Sequence, residues 1–283
     1  MLLLSAVSGP KNPATEAHEE NIGQYIIHHV QNSNEWNIFG IHVQLPQFEP
    51  FYIWGMQIDL SITNHVVMIW IAALLLLLLF GLSFRRRKLV PTGFAAILEM
   101  LVIFIRDEIV IANLGEKDGR KFTPLIGTFF FFILTCNLMG LIPLFSTPTG
   151  NVNVTAAMAI VTLVSGQVFG IKNNGLIGHF KALVPSGVPV FLIPLMFIIE
   201  LMGLIAKHFA LIIRLFANMI AGHIVFFAFL GLIMIFKSVW ISPLSVGFAV
   251  FVDLLEILVA FIQAYVFTIL STLFIGMAIH PEH

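Results

Sequence analysis

The chain has 283 residues, of which 59% are hydrophobic and 10% are charged, with a formal net charge of −1. An average soluble domain carries about 25% charged residues, so this composition excludes a soluble globular enzyme and a disordered chain. The near-zero charge offers no basic field to hold phosphates and argues against nucleic acid as a partner. The single cysteine, Cys136, excludes an intrachain disulfide framework and a cysteine-built metal site. The composition predicts an integral membrane protein of several helices.

Residues 1–63 are predicted to form an extracytoplasmic tail with little regular structure. The tail is acidic: Lys11 is its lone basic residue, against Glu16, Glu19, Glu20, Glu35, Glu49 and Asp59. Several histidines also lie there, but their spacing matches no familiar metal-ligand pattern, so solvated or packed side chains are favoured over a metal site. They are His18, His28, His29 and His42.

The first predicted transmembrane helix covers residues 64–84 and includes the run Leu74–Leu79. It is long enough to cross a hydrocarbon core of about 30 Å. The basic cluster Arg85–Lys88 follows directly. The positive-inside rule places this cluster in the cytoplasm and the N-terminal tail outside.

Residues 85–121 are predicted to form a cytoplasmic segment. Within it, Pro91 to Leu114 mixes apolar residues with charges and is typical of an amphipathic helix at the membrane interface. A transmembrane hairpin is predicted for residues 122–172, with its turn at Thr147–Gly150, and a cytoplasmic loop for residues 173–187.

Residues 188–283 are unusual because Val188 to Phe236 contains no strong turn signal after its first few residues. At 1.5 Å per residue, such a helix would be about 70 Å long, more than twice the bilayer core. Two interpretations stay open: two spans with a break near Gly222, or one strongly tilted helix. Gly247 to Ile279 is predicted to be a final long helix.

Arg214 is the most informative charge in the apolar segments, because its guanidinium cannot be neutralised and must find a partner or water. No acidic residue lies within one helical turn of it, and the local option is the amide of Asn218. This favours a partner on another helix or subunit over a structural ion pair. On a helical projection one stripe contains Glu200, Lys207, Arg214 and Asn218, continued by Gly203 and Ala210.

Other polar residues of this region lie away from that stripe. His223 falls on a different face of the same helix, and Asp253, Glu256 and Gln263 cluster on the last helix. A histidine and a carboxylate together can relay protons near neutral pH. The alternative is that His223 and Glu256 merely satisfy each other within a helix bundle.

The string Arg214–His223 resembles the signature of subunit a of the F-type ATP synthase. Glu200 and Lys207 precede the arginine at that family's spacing, and Glu256 and Gln263 recur at its spacing on the last helix. The segments Asn137–Pro143 and Thr147–Gly150 are similar to its earlier helical hairpin. The resemblance covers about residues 64–280.

The resemblance implies an all-α integral membrane protein with about five membrane-embedded helices and an interfacial amphipathic helix. The last two helices would be long, strongly tilted and packed around a rotor ring, the c-ring, with subunit b of the peripheral stalk as a further partner. It also implies a non-catalytic, proton-translocating subunit, without a cofactor, in a bacterial inner membrane with a cytoplasmic C-terminus.

By the same resemblance, Arg214 would separate two offset half-channels and make each arriving ring carboxylate release its proton. His223, Glu256, Asn218 and Gln263 would line or support the inlet, and Glu200 would lie near the exit. Asp253 and Lys207 are possible supporting residues; Lys207 could also simply extend to the interface.

Two departures from the family pattern stand out. Many bacterial members carry an acid at the position of His223 and a histidine at that of Glu256, so the pair is exchanged here. Serines that some members have near the exit are Gly203 and Ala206 in this chain. Because one acid and one imidazole are kept, we expect the function to survive.

Two other classes of protein remain as alternatives. A self-contained secondary transporter or channel could use Arg214 to bind an anionic substrate, but the paired repeats and broken helices of such carriers are not visible. A non-conducting assembly subunit would not need Arg214, His223 and Glu256 in the membrane. The choice between H⁺ and Na⁺ and the size of the ring lie outside this sequence.

Overall fold

A computed structural model describes residues 35–38, 41–48, 51–53, 56–58, 61–85, 91–142, 145–183, 188–236 and 242–281. The chain divides into two compact units. The smaller unit draws its described residues from Met1–Asn64 and Ile220–Ile257, and the larger from His65–Met219 and Leu258–His283. The histidines at positions 18, 28 and 29 lie outside the described residues.

The smaller unit contains two short antiparallel hairpins in the N-terminal tail. Strands β1 (Glu35–Ile38) and β2 (Ile41–Gln44) pair with each other, as do β3 (Phe51–Ile53) and β4 (Met56–Ile58). The prediction of little regular structure is therefore wrong for this part of the tail. β-Branched and aromatic residues favour strands, and in β1 and β2 they alternate with polar residues in a segment whose overall composition is polar.

Helices form nearly all of the remaining described chain. They are α1 (Asn64–Ser83), α2 (Phe94–Phe104), α3 (Ala112–Gly140), α4 (Val152–Asn174), α5 (Leu176–Ala182), α6 (Ile193–Phe236) and α7 (Ser242–Ile279). A π-helical segment, Ile105–Ile111, joins α2 to α3, and single 3₁₀ turns at Pro148–Gly150 and Val190–Leu192 precede α4 and α6.

Four of these helices are long and apolar enough to cross a membrane: α1, α4, α6 and α7. The predicted class, an α-helical integral membrane protein, is confirmed. In α3 the charged residues come before Phe122, and most of the buried apolar residues follow it. Their side chains are apolar because lipid tails surround them. Their backbone is helical because, among lipid tails, every backbone polar group must form its hydrogen bond within the helix.

Helix α6 settles the question that its sequence left open. It is continuous from Ile193 to Phe236, 44 residues, and Gly222 does not interrupt it. A helix of this length spans about 66 Å at 1.5 Å per residue, against a hydrocarbon core of about 30 Å. It therefore cannot stand upright within the bilayer.

The amphipathic segment ends at a backbone break. Gly115 has φ 73° and ψ 166°, which separates the first residues of α3 from the rest of that helix. Only glycine adopts this region of φ/ψ at little cost. Before the break, Leu98, Ile105 and Leu114 are buried, while Met100 is exposed. One face of the segment thus packs on the larger unit and the other faces outward.

Aromatic and aliphatic side chains form the core of the larger unit. Phe129 of α3 meets Phe267 of α7 edge to face with centroids 5.6 Å apart, and Phe122 meets Phe169 of α4 at 4.7 Å. Such contacts add about 0.5–1.5 kcal/mol each beyond area burial. They fix α3, α4 and the second half of α7 as one packed group.

The turn between α3 and α4 is held by buried polar groups. The Thr149 hydroxyl donates to Asn137 Oδ1 at 2.7 Å, and both side chains are buried. Gly140 lies so close to Thr147 that an added methyl group would overlap the threonine side chain. These contacts explain the residue types of the hairpin motif.

Helices α4 and α7 pack through a stripe of small residues on α4. Thr162 donates to Ser271 Oγ at 3.2 Å, and Gly166 and Gly170 follow at intervals of one turn. Small residues let helix backbones approach closely in membranes. At Gly170 the approach is closest: an added methyl carbon would stand 2.5 Å from the carbonyl oxygen of Ala278.

We expect Gly170→Ala to lower the free energy of unfolding by about 1–3 kcal/mol through overpacking. Gly166→Ala is the matched control, since a methyl carbon there would meet Ala278 Cβ at an ordinary 3.5 Å and gains the same helix propensity. The measurement is the temperature at which the subunit precipitates from a detergent extract. Equal stability of the two variants would contradict the close packing at Gly170.

Candidate functional site

The polar stripe of α6 runs along the part of the helix that belongs to the larger unit. The side chains of Lys207, Arg214 and Asn218 are exposed, and Glu200 is half-buried. On the neighbouring face Leu211 and Leu215 are buried. The helix thus packs through leucines and presents its charges away from the core of this unit.

Arg214 has no carboxylate partner within the described chain. The ion pairs found there lie elsewhere, on the segment from Arg106 to Lys121 and at His280. A guanidinium stays charged at any physiological pH. In a membrane-spanning helix such a cation needs an opposite charge or water. The Arg214 guanidinium is therefore exposed, with no carboxylate partner among the described residues.

Gln263 of α7 contacts the same turn of α6. It is 4% exposed, and its Nε2 donates to the carbonyl oxygen of Arg214 at 3.4 Å. The bond joins the backbone of α6 to a buried side chain of α7. It fixes the position of the turn that carries Arg214 while leaving the guanidinium exposed.

A cavity of about 580 Å³ lies at one end of the larger unit. Glu200 and Lys207 line it from α6, and Gly276 and His280 from the end of α7. The wall is completed by Gln167 of α4 and by His179 of α5, among others. Two charged residues of the stripe thus face a space large enough for many water molecules.

In the smaller unit, Glu256 of α7 lies directly against α6. Gly222 approaches it so closely that an added methyl group would overlap the Glu256 carboxyl group. Oε1 of Glu256 is buried and has no hydrogen-bond partner among the described residues. His223 and Asp253 are half-buried in the same unit. Gly222, a possible helix break on sequence grounds, instead makes room for this carboxyl group.

Comparison with known proteins identifies the family. The family model described as "ATP synthase A chain" matches residues 66–276. The chain belongs to this family. Its members "ATP synthase subunit a" from Chloroherpeton thalassium and from Myxococcus xanthus are 49% and 50% identical to it, over 265 and 230 residues.

These alignments cover most of each protein. They span 91% of this chain and 77% of the Chloroherpeton relative, and 80% of this chain and 75% of the Myxococcus relative. "ATP synthase subunit a 2" from Chlorobium luteolum is 43% identical over 282 residues. The resemblance found in the sequence is confirmed, and the chain is a membrane-sector component of an ATP synthase.

Within this ATP synthase A chain, three predicted site residues have contacts that the sequence did not indicate. Glu200 and Lys207 share one cavity, and Gln263 bonds to the backbone at Arg214. The sequence did not indicate Gln167 and His179, which line the cavity with Glu200 and Lys207. The sequence pattern that could have indicated them is weak: Gln167 and His179 are two polar residues on either side of a turn at Gly175.

Polar contacts hold the end of α7 beside this cavity. Asn174 Nδ2 donates to the carbonyl oxygen of Ile279 at 3.1 Å and satisfies one of the last carbonyls of the helix. Asp118 pairs with Lys121 at 2.7 Å and with His280 at 3.4 Å. The hydrogen bond from Lys121 lowers the pKa of the Asp118 carboxyl group, so at neutral pH this carboxylate is charged.

Proposed function

We propose that the chain is the stator subunit of a rotary F-type ATP synthase and couples proton translocation to rotation of the c-ring. The observation that supports this most strongly is Arg214, an exposed cation on a long apolar helix, with no carboxylate partner in the described chain. A ring of subunits that each carry one carboxylate would supply the missing anion in turn. The chain itself catalyses no chemical step in this proposal.

Arg214 acts as an electrostatic barrier. An opposite charge nearby stabilises the ionised form of a carboxylate, so each ring carboxylate that reaches Arg214 releases its proton. The cation also repels a free proton between the two half-channels. Every proton must then travel with the ring, and one proton that crosses 100 mV releases about 2.3 kcal/mol for rotation.

The inlet half-channel is assigned to Glu256 and His223, supported by Asn218, Gln263 and Asp253. The support for Glu256 is its buried carboxyl oxygen without a described partner, since a buried polar atom left unbonded is costly unless water or a proton reaches it. The support for Gln263 is its hydrogen bond to the backbone carbonyl oxygen of Arg214.

The exit half-channel is assigned to the cavity lined by Glu200 and Lys207. The charged side chains of Glu200 and Lys207 on the wall of this cavity favour water over lipid tails inside it. Gly203 and Ala206, where some relatives have serines, add no hydroxyl group. The path from Arg214 to this cavity would then be carried by water and by Glu200.

The proposed orientation follows from the charges. The basic cluster at Arg85–Lys88 and the cavity end of α7 lie in the cytoplasm, and the N-terminal tail lies outside. The lipid membrane, the c-ring and subunit b of the peripheral stalk are the proposed partners. A bacterial inner membrane is the proposed location, in line with the bacterial sources of the relatives.

We expect Arg214→Ala to abolish ATP-driven proton pumping by inverted membrane vesicles, because nothing would then force deprotonation or block the direct path. Arg106→Ala is the control, since Arg106 is an exposed arginine paired with its neighbour Asp107. The measurement is quenching of a pH-sensitive dye after addition of ATP. Pumping that persists in Arg214→Ala membranes with normal subunit content would overturn the proposal and favour a transporter.

We expect Gly222→Ala to slow passive proton flow several-fold, because the new methyl group displaces the Glu256 carboxyl group. Glu256→Gln should slow the flow as well. Gly247→Ala is the matched control, since a methyl group there meets nothing within 4 Å. The measurement is the decay of an imposed pH gradient in vesicles stripped of the soluble ATPase. Equal decay rates for Gly222→Ala and Gly247→Ala would contradict a role of Glu256 in proton flow and leave it a structural role.

A further inference from the structure

The short helix α5, between the spans α4 and α6, carries an exposed apolar face. Leu176, Ile177 and Phe180 are 60%, 83% and 42% exposed. On a helical projection they occupy an arc of about 100°, and the buried His179 lies outside this arc. Exposed apolar side chains that are grouped in this way indicate contact with another molecule or with a membrane.

The end of α4 shows where this part of the chain meets the membrane surface. Ile160, Val164 and Val168 are exposed at intervals of four residues and form a row along the helix. Lys172 is the next position of that row and is also exposed, with its ammonium group 5.9 Å from the ring centroid of Phe169. A lysine at the end of a lipid-facing row keeps its charge among the lipid headgroups. Lys172 therefore lies at the level at which α4 leaves the acyl chains.

The contacts of α5 hold it at this level instead of leading it into solution. Gly175, with φ 73°, turns the chain after α4. The ring of His179 packs on the backbone at Gly170, where an added methyl carbon would stand 2.6 Å from its Cε1 atom, and its Nε2 atom is 2.8 Å from Oε1 of Gln167. Gly170 and Gln167 precede Lys172 by two and five residues, which is about 3 and 7.5 Å along a helix axis. The buried side of α5 is thus level with the last turn of the lipid-facing row.

The apolar face of α5 also adjoins the beginning of α6. The ring of Phe180 lies 6.5 Å from the ring of Phe197, measured between centroids. Leu195 and Ile198, on the same stretch of α6, are 55% and 57% exposed. Because α6 is apolar and long enough to cross a membrane, lipid tails cover these side chains. The surface next to α5 is therefore lipid-facing on both of the helices that flank it.

Basic residues border the apolar face of α5. Lys172 precedes the helix and Lys181 lies in its last turn, and both are exposed. From Ile171 to Leu183 the sequence contains no aspartate or glutamate. On a helical projection Lys181 lies about 40° from Ile177, at the edge of the apolar arc. An apolar face with lysines at its edge is complementary to a bilayer surface that carries phosphate groups.

We propose that α5 is a lipid-binding anchor. Leu176, Ile177 and Phe180 insert among the acyl chains of the adjacent leaflet, and Lys172 and Lys181 bind the phosphate groups of anionic phospholipids. The bilayer is the occupant of this face because α5 is held at the level where α4 leaves the acyl chains and adjoins lipid-facing surface. The inference goes beyond the proposed function and does not depend on it, since it concerns only the contact of α5 with lipid.

The anchor would hold one wall of the cavity of about 580 Å³ at the membrane surface. His179 and Ala182 of α5 line that cavity, as does Leu183 directly after the helix. One side of α5 would then face the cavity and α4 while the apolar arc faces lipid.

The test places a fluorescent label on the apolar arc in the complete ATP synthase complex. Ile177 is replaced by cysteine in a complex without other reactive cysteines, in which the buried Cys136 is changed to serine, and a bimane group is attached. The complex is reconstituted into vesicles of phosphatidylcholine and phosphatidylglycerol, with one of the two brominated on its acyl chains. Brominated chains quench a label that they contact, whereas acrylamide quenches a label in water. Glu116→Cys is the control, since the Glu116 side chain is 71% exposed in a charged stretch.

We expect brominated lipid to quench the label at position 177 several-fold more than the label at 116, and acrylamide to show the opposite order. Equal quenching of the two labels by acrylamide would overturn the inference, because the arc would then face water. A label at 177 that neither reagent quenches would also overturn it, because another subunit would then cover the arc. Leu176→Cys, on the same arc, provides the readout if the complex with Ile177→Cys does not assemble.

The phosphate contacts are tested in the same labelled complex. We expect brominated phosphatidylglycerol to quench the label at 177 more strongly than brominated phosphatidylcholine at equal mole fraction, because Lys172 and Lys181 attract the anionic lipid. The double variant Lys172→Gln, Lys181→Gln should lose this preference. Lys117→Gln is the matched control, an exposed lysine outside α5, and should keep it. A preference that persists in the double variant would overturn the assignment of the two lysines, as would its absence from the chain that keeps both.

Discussion

A cation that cannot be neutralised, placed in an apolar helix, is the constraint on which the rest of this molecule depends. Arg214 costs about 2.5–3.5 kcal/mol at the centre of a membrane helix on insertion scales. No described carboxylate of the chain offsets that cost. Helix α6 packs its leucine face inward and leaves the arginine outward. In the proposed function, the carboxylates of the ring subunits offset this cost.

Close helix packing supports polar groups in each unit. In the larger unit, Gln263 fixes the turn at Arg214 through a backbone oxygen, and Gly170 lets α4 meet the backbone of α7. In the smaller unit, Gly222 gives the Glu256 carboxyl group a place against α6. In each case a small or amide residue on one helix provides room or a bond for a group on another. Gly170 and Gly222 thus have packing roles, and α6 is not broken at Gly222.

The sequence was sufficient for features that arise within one helix. Arg214, Lys207 and Glu200 fall on one stripe because the helical period alone determines it. The chain's low charge predicts its membrane class, which the long apolar helices confirm. Contacts between helices were out of reach, because periodicity does not say which residue of α6 meets Glu256. The cavity was missed for the same reason: Gln167, His179 and Glu200 come from three helices.

The short strands of the N-terminal tail were not predicted from the sequence for a different reason. The tail's polar composition suggested little regular structure, yet β1 pairs with β2 and β3 pairs with β4. The strands are only three or four residues long. So short an alternation of apolar and polar residues is easily hidden in a segment rich in Asn, Gln and His. Backbone pairing between neighbouring strands defines these elements.

The most direct test of the central claim is whether the stripe of α6 touches the c-ring. Ala210, exposed and one turn before Arg214, is replaced by cysteine in a background in which the buried Cys136 is changed to serine. A second cysteine is placed beside the carboxylate of the ring subunit, and membranes are oxidised. We predict a disulfide-linked pair for position 210 and none for Val168→Cys, an exposed position on α4. No more cross-linking at 210 than at 168 would contradict the claim that a ring carboxylate is the partner of Arg214.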